Sequence, residues 1–117
     1  MEVQAITKNI RMSPQKMREV VRQIQGLKAT DALAILAVVP RKGARFVAKT
    51  LASAMANAED LKAHKDDFAD LKTEELRIKE AVAGKGIVLK RFTPKARGSA
   101  GPILKRNCHV KIVLSDE

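Results

Sequence analysis

"KRFTPKARGSAGPILKR" (residues 90–106) holds six cations, no acid, two prolines and two glycines. Pro94 and Pro102 argue against a helix through it, because each removes a backbone donor and crowds the preceding turn. What flanks it decides the fold. Upstream, from Leu71 to about Leu89, the residues Leu76, Ile78 and Val82 alternate with polar positions, as in a half-buried strand. Downstream, "NCHVKIVL" (107–114) sets Val110, Ile112 and Leu114 against His109, Lys111 and Val113. Two strands so joined form a long hairpin. Arms of roughly 12 residues at about 3.3 Å each reach on the order of 40 Å. A tip that far out has no core of its own to pack on, and an isolated two-stranded ribbon is marginal in water. Its cations also repel one another. Phosphates are the obvious external partner.

The rest of the chain supplies the body. "EVQAITKNI" (2–10) alternates weakly and predicts a first strand. "SPQKMREVVRQIQG" (13–26) predicts a helix, with Ser13 as cap, Pro14 at its first position and Gly26 as its stop. Met17, Val20, Val21 and Ile24 form one apolar stripe, and Arg18 and Arg22 share a flank one turn apart. "TDALAILAVVP" (30–40) predicts a second helix, capped by Thr30 and stopped before Pro40. "RKGARFVAKTLASAMANAED" (41–60) predicts a third. Ala44, Val47, Ala48, Leu51, Met55 and Ala58 fall on one side of it, and Lys42, Arg45 and Lys49 on another. "LKAHKDDFAD" (61–70) reads as an acidic, solvent-side connection. The expected fold is therefore α+β: three helices packed on a small three-stranded antiparallel sheet with a long protruding β-hairpin. The 117 residues suit one domain, with a body of about 1–80 and 106–117 and an arm of about 81–105.

Charge is segregated. The chain carries 23 Lys and Arg against 13 Asp and Glu, a formal net charge of +10. Residues 1–55 hold ten cations and three acids, residues 56–80 five and eight, and residues 81–117 eight and two. From Ala81 to Ser115 no carboxylate occurs. Mixed signs would mark a plain soluble surface; this separation marks a face for a polyanion. A single cysteine, Cys108, rules out an internal disulfide and fits a reducing compartment. No apolar stretch resembles a secretion signal or spans a bilayer, so a soluble, intracellular protein without a membrane partner is expected.

Chemistry is harder to find. His64, His109 and Cys108 have no metal-ligand spacing, and Cys108 and His109 would face opposite ways on a strand. Asp66, Asp67 and Asp70 lack the ladder and glycine of a calcium loop, and "GKG" (84–86) lacks the rest of a phosphate loop. No catalytic constellation, metal or cofactor is expected. "GSAG" (98–101) matches the loop of KH domains by accident, because neither flank reads as helix. Three phenylalanines, with Phe46 and Phe68 expected in the core, cannot furnish a multi-base stacking platform. Recognition should rest on phosphates and RNA shape.

The stretches "IRMSPQKMREVVRQIQG" (10–26), "SAMANAE" (53–59), "LKRFTPKARGSAGPILKR" (89–106) and "HVKIVLSD" (109–116) together resemble the bacterial-type family of large ribosomal subunit protein 22, over essentially the whole chain. The resemblance implies a non-enzymatic structural constituent of the large ribosomal subunit that binds its 23S RNA and assists assembly. It also implies a body near the opening of the peptide exit tunnel and a hairpin lining the tunnel wall. Implied partners are large-subunit RNA, neighbouring ribosomal proteins and the nascent polypeptide, in the cytoplasm and without homo-oligomerisation. By position, Lys90, Arg91, Phe92, Pro94, Lys95, Arg97, Gly98 and Ser99 would form the tunnel-lining tip. Arg11, Ser13, Lys16, Arg18, Arg22, Lys28, Lys42, Arg45, Lys49, Lys105 and Arg106 join the tip's cations as candidate RNA contacts. Relatives often carry another cation at the position of Ser99 and a Gly-Pro step at Gly86-Ile87. The rival readings are a free-standing RNA chaperone and an RNA-processing enzyme.

Overall fold

The computed structural model describes residues 2–116. Strand β1 (Glu2–Ile10) leads into helix α1 (Pro14–Val21), which tightens into a 3-10 turn at Arg22–Ile24. Helices α2 (Ala29–Val38) and α3 (Lys42–His64) follow, then the long strands β2 (Arg77–Pro94) and β3 (Ala100–Ser115). The sheet is antiparallel in the order β1-β3-β2, which is the expected α+β arrangement. The helices cover one of its faces. Met17, Val20, Ile24, Val47, Leu51, Ile78, Val110, Ile112 and Leu114 are all fully buried between the two layers.

Local chemistry accounts for the boundaries. Pro14 starts α1, and Gly26, at φ +75°, turns the chain after it. Ser13 occupies the cap position with extended backbone, but its side chain makes no capping bond. The cap position of α2 belongs to Lys28 rather than Thr30, because Lys28 is tied by a β-bridge to Arg77 and the helix begins as soon as that pairing ends. Helix α3 runs on to His64, absorbing the first residues of the predicted connection. Its buried side includes Gly43, Thr50 and Ala54, whereas Ala48 and Met55 are only partly covered. Gly43 allows a close approach, since a Cβ there would lie 3.0 Å from the Met17 sulfur and would push on it. Thr50 is buried without cost: its hydroxyl donates to the Phe46 carbonyl (2.9 Å) and accepts from the Thr7 hydroxyl (2.6 Å), which ties α3 to β1. Phe46 and Phe68 pack on the margin of the core rather than inside it.

One alternation fails in β2. Val82 is 41% exposed, and Ala81 and Ala83 are buried instead. A bulge between Ile78 and Glu80 shifts the register by one residue and exchanges the two faces. On β3, Val113 is buried along with the expected Val110, Ile112 and Leu114.

The outer edge of β2 is capped by the segment between α1 and α2. Gly26 N–H donates to the Ile78 carbonyl (3.0 Å), Ile78 N–H to Leu27 (2.9 Å) and Ala29 N–H to Leu76 (3.0 Å). The Gln25 amide donates to the Ala81 carbonyl and accepts from its N–H, and Arg18 Nε donates to the Ala83 carbonyl at 3.1 Å. Past Ala83 the capping stops and the hairpin leaves the body. Its strands stay paired from Val88–Arg106 out to Pro94–Ala100, so only residues 95–99 form the turn. Residues 90–106, read from sequence as the stretch joining the two strands, are mostly paired ribbon, in keeping with the expected long hairpin. The molecule measures 67 × 28 × 16 Å, and its radius of gyration of 17.7 Å exceeds the about 13 Å of a compact chain this long.

Candidate nucleic-acid interface

Three adjoining depressions run from the body to the base of the arm. The first lies along α2 and α3 and is lined by Arg41, Lys42, Arg45 and Lys49. It shares Pro40, Arg41 and Lys42 with the second, where Arg11, Ser13, Lys16, Leu104 and Arg106 complete the wall. The second in turn shares Ser13 and Arg106 with the third, which adds Arg18, Lys85 and Asn107. A continuous cationic surface results. Its one acid, Glu19, meets Arg41 at 3.3 Å on exposed side chains.

Helix electrostatics sharpen the reading. The positive ends of α1 and α3 both open on the second depression, and neither first turn holds an acid. Lys16 and Lys42 sit there instead, against the usual preference for anions at a helix start. Cations at that end cost helix stability, and a bound anion would reverse the sign. At the other end of α3, about 34 Å away by helical rise, come Glu59, Asp60, Asp66, Asp67 and Asp70. One long helix thus separates the two charge populations.

The arm carries the rest. Lys90, Arg91, Lys95, Arg97, Lys105 and Arg106 are all exposed. Val88 pairs with Arg106, Leu89 with Lys105, Lys90 with Leu104 and Arg91 with Ile103, so each position sets one apolar side chain opposite one cation. The turn is closed by Lys95 N–H donating to the Ser99 carbonyl at 2.6 Å, with Arg97 and Gly98 both at positive φ. The Lys95 side chain folds over Gly101.

The base of the arm is fixed by two irregularities facing one another. At the end of β1, Asn9 takes φ +58° and its N–H donates to His109 Nδ1 at 3.0 Å. On β2 a bulge between Lys85 and Val88 brings Gly86 against β3, where a Cβ would lie 3.1 Å from the Asn107 carbonyl. Arg11 Nη1 adds a bond to the Arg106 carbonyl at 2.8 Å. Cys108 is fully buried beside this junction, and burial pushes its thiol up.

Of the candidates read from sequence, Arg11, Ser13, Lys16, Arg18, Lys42, Arg45, Lys49 and Arg106 are brought onto the one surface. Arg22 and Lys28 are exposed but line none of the three depressions. Arg18 and Arg11 also bond the chain's own carbonyls, so each braces the arm's root as well as facing outward. Sequence reasoning missed Arg41 and Lys85. Lys85 sits within the acid-free run that begins at Ala81, which was its only signal.

Comparison with known proteins identifies the family. Residues 5–115 match the family described as ribosomal protein L22p/L17e. Proteins named large ribosomal subunit protein uL22 are similar along the whole chain. That of Opitutus terrae is 51% identical over 116 residues, 99% of this chain and 96% of its own. That of Methylacidiphilum infernorum is 44% identical over 117 residues, covering all of this chain and 96% of the relative. That of Akkermansia muciniphila is 42% identical, again over all of this chain and 98% of the relative.

Proposed function

The chain belongs to the ribosomal protein L22p/L17e family, and on that premise we propose that it is a structural constituent of the large ribosomal subunit, bound to the subunit's RNA. Its place is the cytoplasmic ribosome, and its contribution is architectural rather than catalytic. The observation that carries this is the paired, acid-free ribbon standing clear of the body in a molecule 67 Å long. Among the described residues nothing covers that ribbon, which leaves its charge to an external polyanion.

The three depressions would seat the body on RNA backbone. There, Lys42, Arg45 and Lys49 meet phosphates directly, while Arg11 and Arg18 both meet phosphate and hold the arm's root. The body lies near the opening of the peptide exit tunnel and the hairpin runs inward to form part of its wall, close to neighbouring ribosomal proteins and the growing chain. Clamping separate RNA elements with one rigid protein also assists assembly. These placements rest on the family resemblance and on the arm's shape.

Co-sedimentation tests the reading. The tagged chain should remain in stoichiometric amount with purified large subunits after a high-salt wash. Release at moderate salt would favour a free-standing RNA chaperone, and absence from the subunit would sink the proposal.

A further inference from the structure

The arm presents an aromatic ring that the body does not use. Phe92 is 76% exposed, more than the neighbouring Leu89, Ile103 or Leu104. It stands opposite Pro102, and the next positions on its face are the pairs Lys90–Leu104 and Pro94–Ala100. No other ring lies on the arm. An aromatic side chain left in water forgoes a large burial gain, which a flat apolar partner would restore.

Charge chooses the class of occupant. With no acid between Ala81 and Ser115, the partner is a polyanion, and among polyanions nucleic acid supplies flat apolar faces beside its phosphates. In a duplex those faces are hidden in the stack, so only an unpaired base can reach the ring. Lys90, two residues away on the same face, lies about 7 Å along the strand, close enough to hold a phosphate flanking that base. We infer that Phe92 stacks on a single unpaired base of RNA, with Lys90 gripping a flanking phosphate. One ring cannot form a multi-base platform, but one base needs only one ring. The inference rests on the reading of the chain as an RNA-binding protein.

The test compares wild type, Phe92→Leu and Phe92→Trp on two probes, a twelve-nucleotide oligoadenylate and an RNA duplex of equal length. Leucine keeps the apolar bulk and removes the stacking face; the site is exposed, so melting should not change. Phe92→Leu should bind oligoadenylate about 5- to 150-fold more weakly, the equivalent of ~1–3 kcal/mol per stacked base, with the salt slope and the duplex affinity unchanged. Phe92→Trp should bind at least as well as wild type, and its emission should be quenched by oligoadenylate; the chain has no other tryptophan. Equal binding by Phe92→Leu, or unquenched emission at saturation, overturns the stacking and leaves RNA binding standing. Quenching by an apolar peptide but not by oligoadenylate overturns it in favour of a protein partner. If wild type binds neither RNA at low salt, the RNA reading itself falls and the stacking with it.

Discussion

Replacing Lys42, Arg45 and Lys49 together with glutamine separates binding from folding. All three are exposed on the first half of α3, and among the described residues none has an ion-pair partner. Their removal should leave the melting temperature unchanged or raise it slightly, since Lys42 and Arg45 oppose the helix dipole. Binding to a large-subunit RNA fragment should weaken, and weaken in a particular way. Each phosphate contact contributes about 0.7–0.9 to the slope of log affinity against log salt. Three lost contacts flatten that slope by about 2.1–2.7. Between 50 and 200 mM salt, wild type should then lose about 20- to 40-fold more affinity than the variant, that is, the fourfold increase in salt raised to those powers. Filter binding at four salt concentrations measures the slope, and a thermal melt checks the fold. Equal slopes with an intact fold would show that this edge of α3 does not touch phosphate, and the cationic surface would have to be redrawn around Arg11, Lys16 and Arg106. Arg18→Gln is the contrasting case. It should lower both slope and stability, the latter by about 1 kcal/mol for the lost bond to Ala83.

Three further outcomes are expected. In the free protein, amides of the arm beyond Val88 and Arg106 should exchange orders of magnitude faster than those of Val110–Leu114, because only the latter strand segment is covered by helices; protection of the tip equal to the core's would refute the exposed ribbon. Gly86→Val forces a side chain against the Asn107 carbonyl at the hinge of the arm and should cost about 1–3 kcal/mol, read as a lower melting temperature, while an unchanged melt would mean that the bulge gives freely. Cys108 is buried with its thiol raised, so it should resist alkylation until the protein unfolds. The raised value contributes stability that is full below the ordinary thiol range, about 8.5, and is lost as pH climbs toward the folded value. Cys108→Ala should remove that alkaline loss, and rapid alkylation of the native chain would contradict the burial.

Much of this was legible in the residues. The alternation of "EVQAITKNI" and the stripe of Met17, Val20, Val21 and Ile24 report a strand and a helix because each buries a single face with a single period. What stayed hidden depends on a neighbour. Val82 faces water because a bulge, defined only against β3, turns the strand over just before it. Gln25 reads as an ordinary polar residue at a helix end, yet it caps the edge of β2 from a position 56 residues away in sequence. Lys28 displaces Thr30 as cap for the same reason, since a distant strand holds it extended. The site divides likewise. Sign and composition expose the cations, and the hairpin sets Lys85 near Arg106, but only the docking of α1 against β2 brings Arg18 beside them.

The arm's pattern follows from the place where the body ceases to support it. Up to Ala83, β2 has β3 on one side and the α1–α2 segment on the other. Beyond it β2 has only β3, and β3 keeps β1 as far as the Ile10–Cys108 pair and the Arg11 bond to Arg106; from there outward each strand has only the other. Like charges directly opposite would split such a ribbon, and a wholly apolar face would fold it down onto the body or glue it to another sheet. Setting Arg106 against Val88, Lys105 against Leu89, Leu104 against Lys90 and Ile103 against Arg91 avoids both outcomes. Each of these four rungs has one cation, and both faces mix charge with apolar surface. A ribbon so written cannot collapse inward and cannot pair outward. It is left extended and short of partners, which suits a segment that takes its final order from RNA on both sides.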